Sequence, residues 1–395
     1  MIPHLRTKFN KKFTEAAYQR LQQRLDELCG MHIDFRVCET PLFIPGQLMH
    51  GMEKAGKEII MQLMTNPEYR VASAKTIPPD FNTPNETSHP LFVSVDFGIT
   101  RDASGALVPK LIELQGFPTL YAFQTVLSRE YREVYQLPDE ARVFLDGMDS
   151  DGYHTLLREA ILGSHDPANV ILLEFDPLQQ KTRPDFILTE RLCGIGTVNV
   201  RDVVKEGRRL LYRKNGALVA IRRIYNRAIA DELIRSGAQL PFSFRDELDV
   251  EWAGHPNWFF RLSKFSLPFL DHPSVPKTAF LSDLQQTPEN PNDWVLKPLY
   301  SFAGSGVIVG PSRADIEAIP VSQRHNYVLQ ERIDYGGIVE TPFGGTKAEL
   351  RIMYIWTDKL RAVANLVRMG RGKMMGVSFN KDLNWVGSSA GFYVD

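Results

Sequence analysis

Trp294 to Gly310, WVLKPLYSFAGSGVIVG, is the most informative stretch of this 395-residue sequence. The alternation from Trp294 to Pro298 predicts a half-buried strand, and Val307 to Val309 predicts a second one. The small residues between them predict a loop whose backbone N–H groups can approach a polyanion. Lys297 adds a point charge for phosphate oxygens. The stretch therefore predicts a nucleoside triphosphate site, and a tight hairpin with one solvated lysine is the alternative.

The two common nucleotide-binding patterns are absent from the sequence. It contains no GxxxxGK[ST], and Gly194-Ile195-Gly196 lacks the third glycine of GxGxxG. The nucleotide prediction therefore depends on Lys297 and the loop that follows it.

The composition is that of an ordinary globular protein, with 43% hydrophobic residues, 24% charged residues and a formal net charge of −1. This near-zero charge argues against nucleic-acid or membrane-surface partners. No apolar run approaches the ~18 residues of a membrane span, and we expect no signal peptide. Cys29, Cys38 and Cys193 form no metal or disulfide pattern, which favours a reducing, cytoplasmic location.

A second informative segment lies upstream, from Leu91 to Gln124. Phe92 to Phe97 predicts a strand with Asp96 at its end, and Val108 to Gln115 predicts its partner. Glu113 and Gln115 share a face because they are two residues apart. These oxygens are ligands that suit Mg²⁺. The alternative is that Asp96 caps a turn and Glu113 pairs on the surface with Lys110 or Arg101.

The middle of the chain alternates apolar strands with helix-length segments. Asn169 to about Asp231 therefore predicts a small Rossmann-like unit. Within it, Arg222, Arg223 and Arg227 could grip a substrate carboxylate by bidentate contacts. The alternative is that they are solvated or satisfy a helix C-terminus.

The segment after the nucleotide stretch continues the strand pattern. Tyr327 to Ile333, YVLQERI, predicts a strand whose edge backbone could bind adenine, with Glu331 on the ribose. Glu349 to Trp356 and Leu360 to Arg368 predict two more strands. Gly387 to Ser389 is expected in an ordered polar loop.

Taken together, the order of these motifs resembles the ATP-grasp superfamily. The lysine strand, glycine-rich loop, QERI strand, E-x-R strand and Arg368-ended strand match its nucleotide-binding half. LIELQGFPTLYAF, at 111–123, resembles the metal-binding E-x-N strand, and VDFG resembles the strand with a further metal-binding aspartate. Both precede the lysine strand, as in the circularly permuted glutathionylspermidine synthetase and eukaryotic glutathione synthetase.

The resemblance implies an α/β (α+β) ATP-grasp fold in permuted order, with a Rossmann-like preATP-grasp unit. It divides the chain into residues 1–168, N-terminal helices with the metal-ligand hairpin, residues 169–240, the Rossmann-like substrate unit, and residues 241–395, the nucleotide-binding region. The resemblance implies that Lys264 and Lys297 contact phosphates, under a closing loop with Ser301, Gly304, Ser305 and Gly306. It implies adenine and ribose contacts from Gln330, Glu331, Arg332 and Ile333. It also implies Mg²⁺ ligands at Asp96, Glu113 and Gln115, and a role for Arg368 in stabilising charge on the transferred phosphoryl group.

The activity implied is that of an ATP-dependent ligase joining a small-molecule carboxylate to an amine or thiol through an acyl phosphate. Two residues depart from the family pattern. Gln115 stands where Asn is usual, and Ser301 stands where eukaryotic glutathione synthetase has an acidic ligand. The alternatives are therefore a degenerate nucleotide-binding protein without turnover, or a small-molecule kinase.

Overall fold

The structure is a computed structural model that describes residues 1–299, 305–372, 375, 380 and 382–395. Some helices have ordinary side-chain caps at their first turns. In the helix Glu15–Cys29, the Thr14 side chain accepts a hydrogen bond from the Ala17 N–H, and Gly30 ends the helix at φ 66°. The α-helices are α1 (Pro3–Lys12), α2 (Glu15–Cys29), α3 (Gly46–Thr65), α4 (Pro67–Ala74), α5 (Tyr121–Tyr135), α6 (Ser150–Leu162), α7 (Arg183–Cys193), α8 (Ala230–Ser236), α9 (Asn257–Arg261) and α10 (Arg313–Glu317).

The strands fall into five sheets in the part of the chain that the structure describes. They are β1 (Leu42–Pro45), β2 (Phe92–Arg101), β3 (Leu107–Gln115), β4 (Val170–Glu174), β5 (Gly196–Asn199), β6 (Val204–Glu206), β7 (Arg209–Lys214), β8 (Ala217–Ile221), β9 (Arg223–Asn226), β10 (Glu251–Ala253), β11 (Thr278–Phe280), β12 (Trp294–Pro298), β13 (Ile308–Val309), β14 (Tyr327–Glu331), β15 (Val339–Thr341), β16 (Gly344–Trp356), β17 (Leu360–Gly370), β18 (Gly387–Ser389) and β19 (Gly391–Val394).

The large sheet joins distant parts of the chain in the order β18-β17-β16-β2-β3, with β15 paired to β16. All of its pairs are antiparallel. Val93, Val95 and Phe97 point to one face, where they pack in a core with α3 residues such as Met52 and Ile59. Because side chains alternate, the opposite face carries Asp96 and its neighbours.

The predicted polar loop at 387–389 is wrong, because these residues form β18. Val367 pairs with Ser389 and Met369 with Gly387, so this short strand completes an edge of the large sheet. Its small residues have little strand propensity, and the pairing is fixed by tertiary contacts instead. The next strand, β19, lies parallel to β1, with Phe392 opposite Phe43.

A parallel sheet, ordered β10-β9-β4-β5, lies in the middle of the chain. Every residue of β4 is buried, as expected for a parallel strand covered on both faces. Helix α6 contacts β9 and β10, and α7 contacts β5. An antiparallel sheet of β6, β7 and β8 is inserted between β5 and β9.

The predicted nucleotide stretch, Trp294 to Gly310, contributes β12 and β13 to an antiparallel sheet in the order β11-β14-β12-β13. We call this sheet the nucleotide sheet after that prediction. The two predicted strands occur, with Val295 of β12 opposite Val309 of β13, and residues 300–304 of the predicted loop lie outside the described residues. β14 is flanked by β11 and β12, so the prediction of an edge backbone there is wrong. Separately, no helix of the described residues is long and apolar enough to span a bilayer.

Candidate functional site

A cleft of about 450 Å³ lies where the large sheet, the parallel sheet and the nucleotide sheet approach one another. Four of the predicted site residues line it together: Glu113, Gln115, Lys264 and Arg227. Leu299, two residues after Lys297, lines it as well. The volume is in the usual range for a small-molecule site. Segments far apart in the sequence therefore contribute charged groups to one cavity.

Lys297 lies on β12 and is only 6% exposed. Its Nζ donates to the Ile112 carbonyl at 3.0 Å and to Gln330 Oε1 at 2.5 Å. The β12–β14 register places Lys297 opposite Val328, two residues from Gln330 on the same face. Burial lowers the pKa of Lys297 to about 8, although the Glu113 carboxylate opposes that change. The bond to Ile112 ties the nucleotide sheet to β3.

Lys264 is the second predicted phosphate contact. Its Nζ lies 3.9 Å from Glu113 Oε2. On the other side of that carboxylate, Gln115 Nε2 donates to Glu113 Oε1 at 2.8 Å. Glu113 therefore lies between a cation and an amide donor at the wall of the cleft.

Asp96 occupies a different environment, in what we call the arginine–carboxylate network: Asp96, Glu349, Arg351 and Arg368. Arg351 donates to both Asp96 oxygens, at 2.6 and 2.7 Å, and Arg368 adds a bond of 3.1 Å. Burial alone would raise the pKa of Asp96, but Arg351 and Arg368 together hold it below its usual value. Arg368 also lies 3.5 Å from Glu349.

The alternative surface roles for these acids are wrong. Lys110 donates to the Pro273 carbonyl and Arg101 to the Gly105 carbonyl, so Glu113 pairs with neither. Asp96 holds two arginines rather than capping a turn.

The metal and the nucleotide fit this site unequally. Among the described residues, no group of three or more His, Cys, Asp or Glu side chains is placed to hold a metal ion. Both oxygens of Asp96 already accept from arginine. The predicted set of Asp96, Glu113 and Gln115 therefore does not form a ready Mg²⁺ site. A nucleotide fits better, because Lys264 and Lys297 both lie near Glu113 and the buried Nε2 of Gln330 has no partner within the described residues.

The predicted adenine and ribose contacts lie at the end of β14. The N–H of Glu331 donates to the Lys277 carbonyl, and that of Arg332 to the Asp293 carbonyl. The side chains of Glu331 and Arg332 are exposed, and Ile333 is half-buried. The binding role of these residues therefore stays a prediction. Contacts to adenine and ribose would come from their side chains or carbonyls, because the two N–H groups are already bonded.

Only part of the predicted closing loop lies within the described residues. Ser301 and Gly304 lie outside the described residues. Ser305 and Gly306 form an exposed turn before β13. Gly306 has φ 71°, and a Cβ there would come within 2.9 Å of Pro298 Cγ, so the turn requires glycine.

Arg227 is the only arginine of the predicted trio that lines the cleft. It is buried, donates to the Pro118 carbonyl and stacks on Phe117 with 4.7 Å between the guanidinium carbon and the ring centroid. Its Nε has no partner within the described residues. Arg222 is exposed, and Arg223 donates to the carbonyls of Ala160 and Ile161 at the end of α6. The alternative is therefore confirmed for these two residues, because Arg222 is solvated and Arg223 satisfies the C-terminus of α6.

Glu174 lines the cleft and was not among the predicted site residues. It ends β4 and is 2% exposed, and its Oε1 accepts from the Phe175 N–H at 2.8 Å. Burial raises the pKa of Glu174 to about 8, and the Arg227 guanidinium opposes that rise. The signal was present in the sequence, because an acid directly after a continuous apolar run lies at the carboxyl edge of a parallel sheet, where ligands bind.

Thr119, two residues before α5, lines the cleft, and the first turn of α5 is capped from another helix. Asp185 of α7 accepts from the backbone N–H groups of Leu120, Ala122 and Phe123 at 2.9 to 3.1 Å. Leu120 adopts φ 61°, which turns the chain into the helix. An internal carboxylate therefore occupies this helix end, and an anionic ligand must use Arg227 or the lysines instead.

Comparisons with known proteins bear on the fold. No protein-family model matches the chain, and no curated protein matches it. Among solved structures, it is similar to a glutathione synthetase-like effector from Globodera pallida in its apoform. The TM-score is 0.58 at 11% identity, and the alignment covers 95% of this chain and 98% of the effector chain. The likeness shows that the chain has a glutathione synthetase-like fold.

Proposed function

We propose that the chain is an ATP-dependent ligase that joins a small-molecule carboxylate to an amine or thiol, releasing ADP and phosphate. The observation that supports this best is the shared cleft. Lys264 and Glu113 line it together with Arg227 and Glu174. Groups suited to phosphate and groups suited to a charged organic substrate thus border one cavity. The fold similarity is compatible with this chemistry.

ATP, when bound, supplies the phosphoryl group that turns the carboxylate into an acyl phosphate, from which the amine displaces phosphate. Lys297 would hold the phosphates, because its ammonium group is fixed by Ile112 and Gln330. A fixed cation in a buried site needs little reorganisation as charge develops, which makes it effective. Lys264 would add a second cation, and Arg368 would face charge on the migrating group.

The organic substrate is proposed to bind between Arg227 and Glu174. The Arg227 guanidinium suits a carboxylate, and Glu174 suits an ammonium group, whose positive charge would favour the ionised form of this buried carboxyl group. A molecule with both groups, such as an amino acid or a short peptide, matches this pair. Phe117 and Phe259 line the same cavity and give it an apolar wall.

A nucleotide-binding protein without turnover is the second candidate. The observation that favours it is the pairing of Asp96 with Arg351 and Arg368, which differs from the expected ligand set. Turnover decides between the two candidates.

The test is a thermal-shift titration with Mg·ATP on wild type, Lys297→Met and Glu113→Gln. About 100 Kd of ligand stabilises a protein by about 2.7 kcal/mol, so wild type should shift clearly. We expect Lys297→Met to abolish the shift and Glu113→Gln to reduce it. Lys110→Met is the matched control, because Lys110 lies on the strand of Glu113 but bonds to the Pro273 carbonyl.

Turnover is then measured as ADP release across a panel of amino acids and amines. A ligase requires both substrates, and Arg227→Met should raise KM for the carboxylate substrate, whereas Arg222→Met should not. ADP release that does not depend on the carboxylate substrate would contradict the proposal. A stable phosphorylated product indicates a kinase, and ATP binding without turnover indicates the second candidate.

A further inference from the structure

We infer that Asp96 is the counter-ion that anchors Arg351 and Arg368 rather than a Mg²⁺ ligand. Asp96 then fixes the charge of Arg368 near Glu349 and Glu113, and Glu113, which lines the cleft beside Lys264, is the predicted carboxylate that a divalent cation arriving with a nucleotide would meet. The inference deepens the proposed function, and only its nucleotide experiment rests on that function.

The pairing of Asp96 with Arg351 is imposed by the sheet. The two residues are direct partners in the β2–β16 register and point to the same face. Their contact is bidentate, with Nε on one oxygen at 2.6 Å and a terminal nitrogen on the other at 2.7 Å. Such a pair has the strongest geometry available to a carboxylate and a guanidinium.

The network is also balanced in charge. Asp96 and Glu349 supply two negative charges, and Arg351 and Arg368 supply two positive ones. The other oxygen of Glu349 accepts from the Tyr335 hydroxyl at 2.7 Å. Tyr335 packs against Gly98, where a Cβ would come within 2.7 Å of its ring. A divalent cation therefore meets a neutral, satisfied set of groups in this network, whereas Mg²⁺ sites rely on carboxylates free to ligate.

Burial separates Asp96 from Glu113. Asp96 is 2% exposed and is not among the described residues that line the cleft, whereas Glu113 is. A metal at Asp96 would displace Arg351, whose side chain is 4% exposed, and leave its charge buried without a partner. The Arg368 side chain is 28% exposed, so its charge remains accessible while Asp96 holds it.

The first experiment is a double-mutant cycle on the full chain, followed by thermal unfolding with and without saturating Mg²⁺. We expect Asp96→Asn and Arg351→Met each to lower Tm, and the double variant to lose less than the sum. The response to Mg²⁺ should be the same in wild type and Asp96→Asn. Additive losses, or a Mg²⁺ shift that disappears in Asp96→Asn, would overturn the inference.

The second experiment counts cations. Equilibrium dialysis with Mn²⁺ and a non-hydrolysable ATP analogue gives the Mn²⁺ bound for each nucleotide bound. We expect a ratio of one in wild type and a loss of Mn²⁺ affinity in Glu113→Gln of at least tenfold. A ratio of two in wild type overturns the inference, even if Asp96→Asn does not fold.

The two proposals fail in different ways. If wild type binds no nucleotide, the proposed function falls, and the double-mutant cycle, which uses no nucleotide, still decides the role of Asp96. If nucleotide binds with two Mn²⁺ ions, the ligase proposal stands and the counter-ion role of Asp96 is wrong.

Discussion

Lys297 is a buried cation whose charge depends on pH near the neutral range. Burial lowers its pKa to about 8, against about 10.5 for an ordinary lysine. Above pH 8, the folded protein loses a proton that the unfolded chain retains, so this group favours folding as pH rises toward 10.5. Phosphate binding needs the protonated form, so ligand affinity and folding respond to pH in opposite directions.

We therefore expect ATP affinity to fall as pH rises above 8, approaching about tenfold per pH unit at the steepest. Isothermal titration of wild type at several pH values measures this directly. The pH dependence should vanish in Lys297→Met, whose remaining binding is weak throughout, and persist in Lys110→Met. An affinity that is flat from pH 7 to 9.5 in wild type would contradict the role of Lys297.

Glu174 gives a second pH prediction with the opposite sign. Its pKa rises from 4.5 to about 8 because it is buried, so the folded protein keeps a proton that the unfolded chain has lost. The free energy of unfolding should therefore fall between pH 4.5 and 8, by up to a few kcal/mol, since one pKa unit corresponds to about 1.4 kcal/mol.

Urea unfolding of wild type and Glu174→Gln across that range measures the effect. The amide variant should lose this part of the slope and be the more stable protein near pH 8. Asp176→Asn is the matched control, because Asp176 lies two residues on and pairs with Arg201 at the surface. An unchanged slope in Glu174→Gln would show that the carboxyl group is hydrated in solution.

At the scale of elements, α5 depends on a cap that comes from another helix. The fully buried side chain of Asp185 accepts hydrogen bonds from three N–H groups at the N-terminus of α5. Asp185→Ala leaves those donors without an acceptor, which costs about 1–3 kcal/mol or more because the groups are buried. Urea unfolding gives the loss.

Asp149→Ala is the matched control for this change. Asp149 caps α6 through a single bond to Gly152 N–H at an exposed site. An ordinary cap of this kind is worth about 1 kcal/mol. If Asp185→Ala lowered the free energy of unfolding no more than Asp149→Ala, the three buried hydrogen bonds of Asp185 would contribute no more than one ordinary surface cap.

The elements themselves were largely predictable, and their partners were not. Helix α3 and strands β12 and β16 follow from local periodicity. The interior position of β14 depends on β11, three residues in a proline- and aromatic-rich segment without strand alternation. The Asp96–Arg351 pair joins residues 255 apart, which no local pattern can reveal. Glu174 was within reach, because its place after a buried run is a local signal.

At the scale of the whole molecule, the large sheet joins strands of the N-terminal region to strands near the other end of the chain. β2 pairs with β16, and Phe97 lies opposite Leu350. We expect a fragment of residues 1–168 to show no cooperative thermal transition by circular dichroism, because its buried strand residues lose their partner strand. The full chain is the control, and a fragment Tm near that of the full chain would contradict this expectation.

The wide spacing of β2 and β16 also has a consequence for synthesis. About 240 residues separate Arg101 from Gly344, which a ribosome adds in roughly 12 to 50 s. Throughout that interval, the nascent hairpin of β2 and β3 lacks the strand that later pairs with the backbone edge of β2. Chaperone demand during translation should therefore be set by the sequence position of β16, so that slowing elongation before it prolongs the exposure of an aggregation-prone edge.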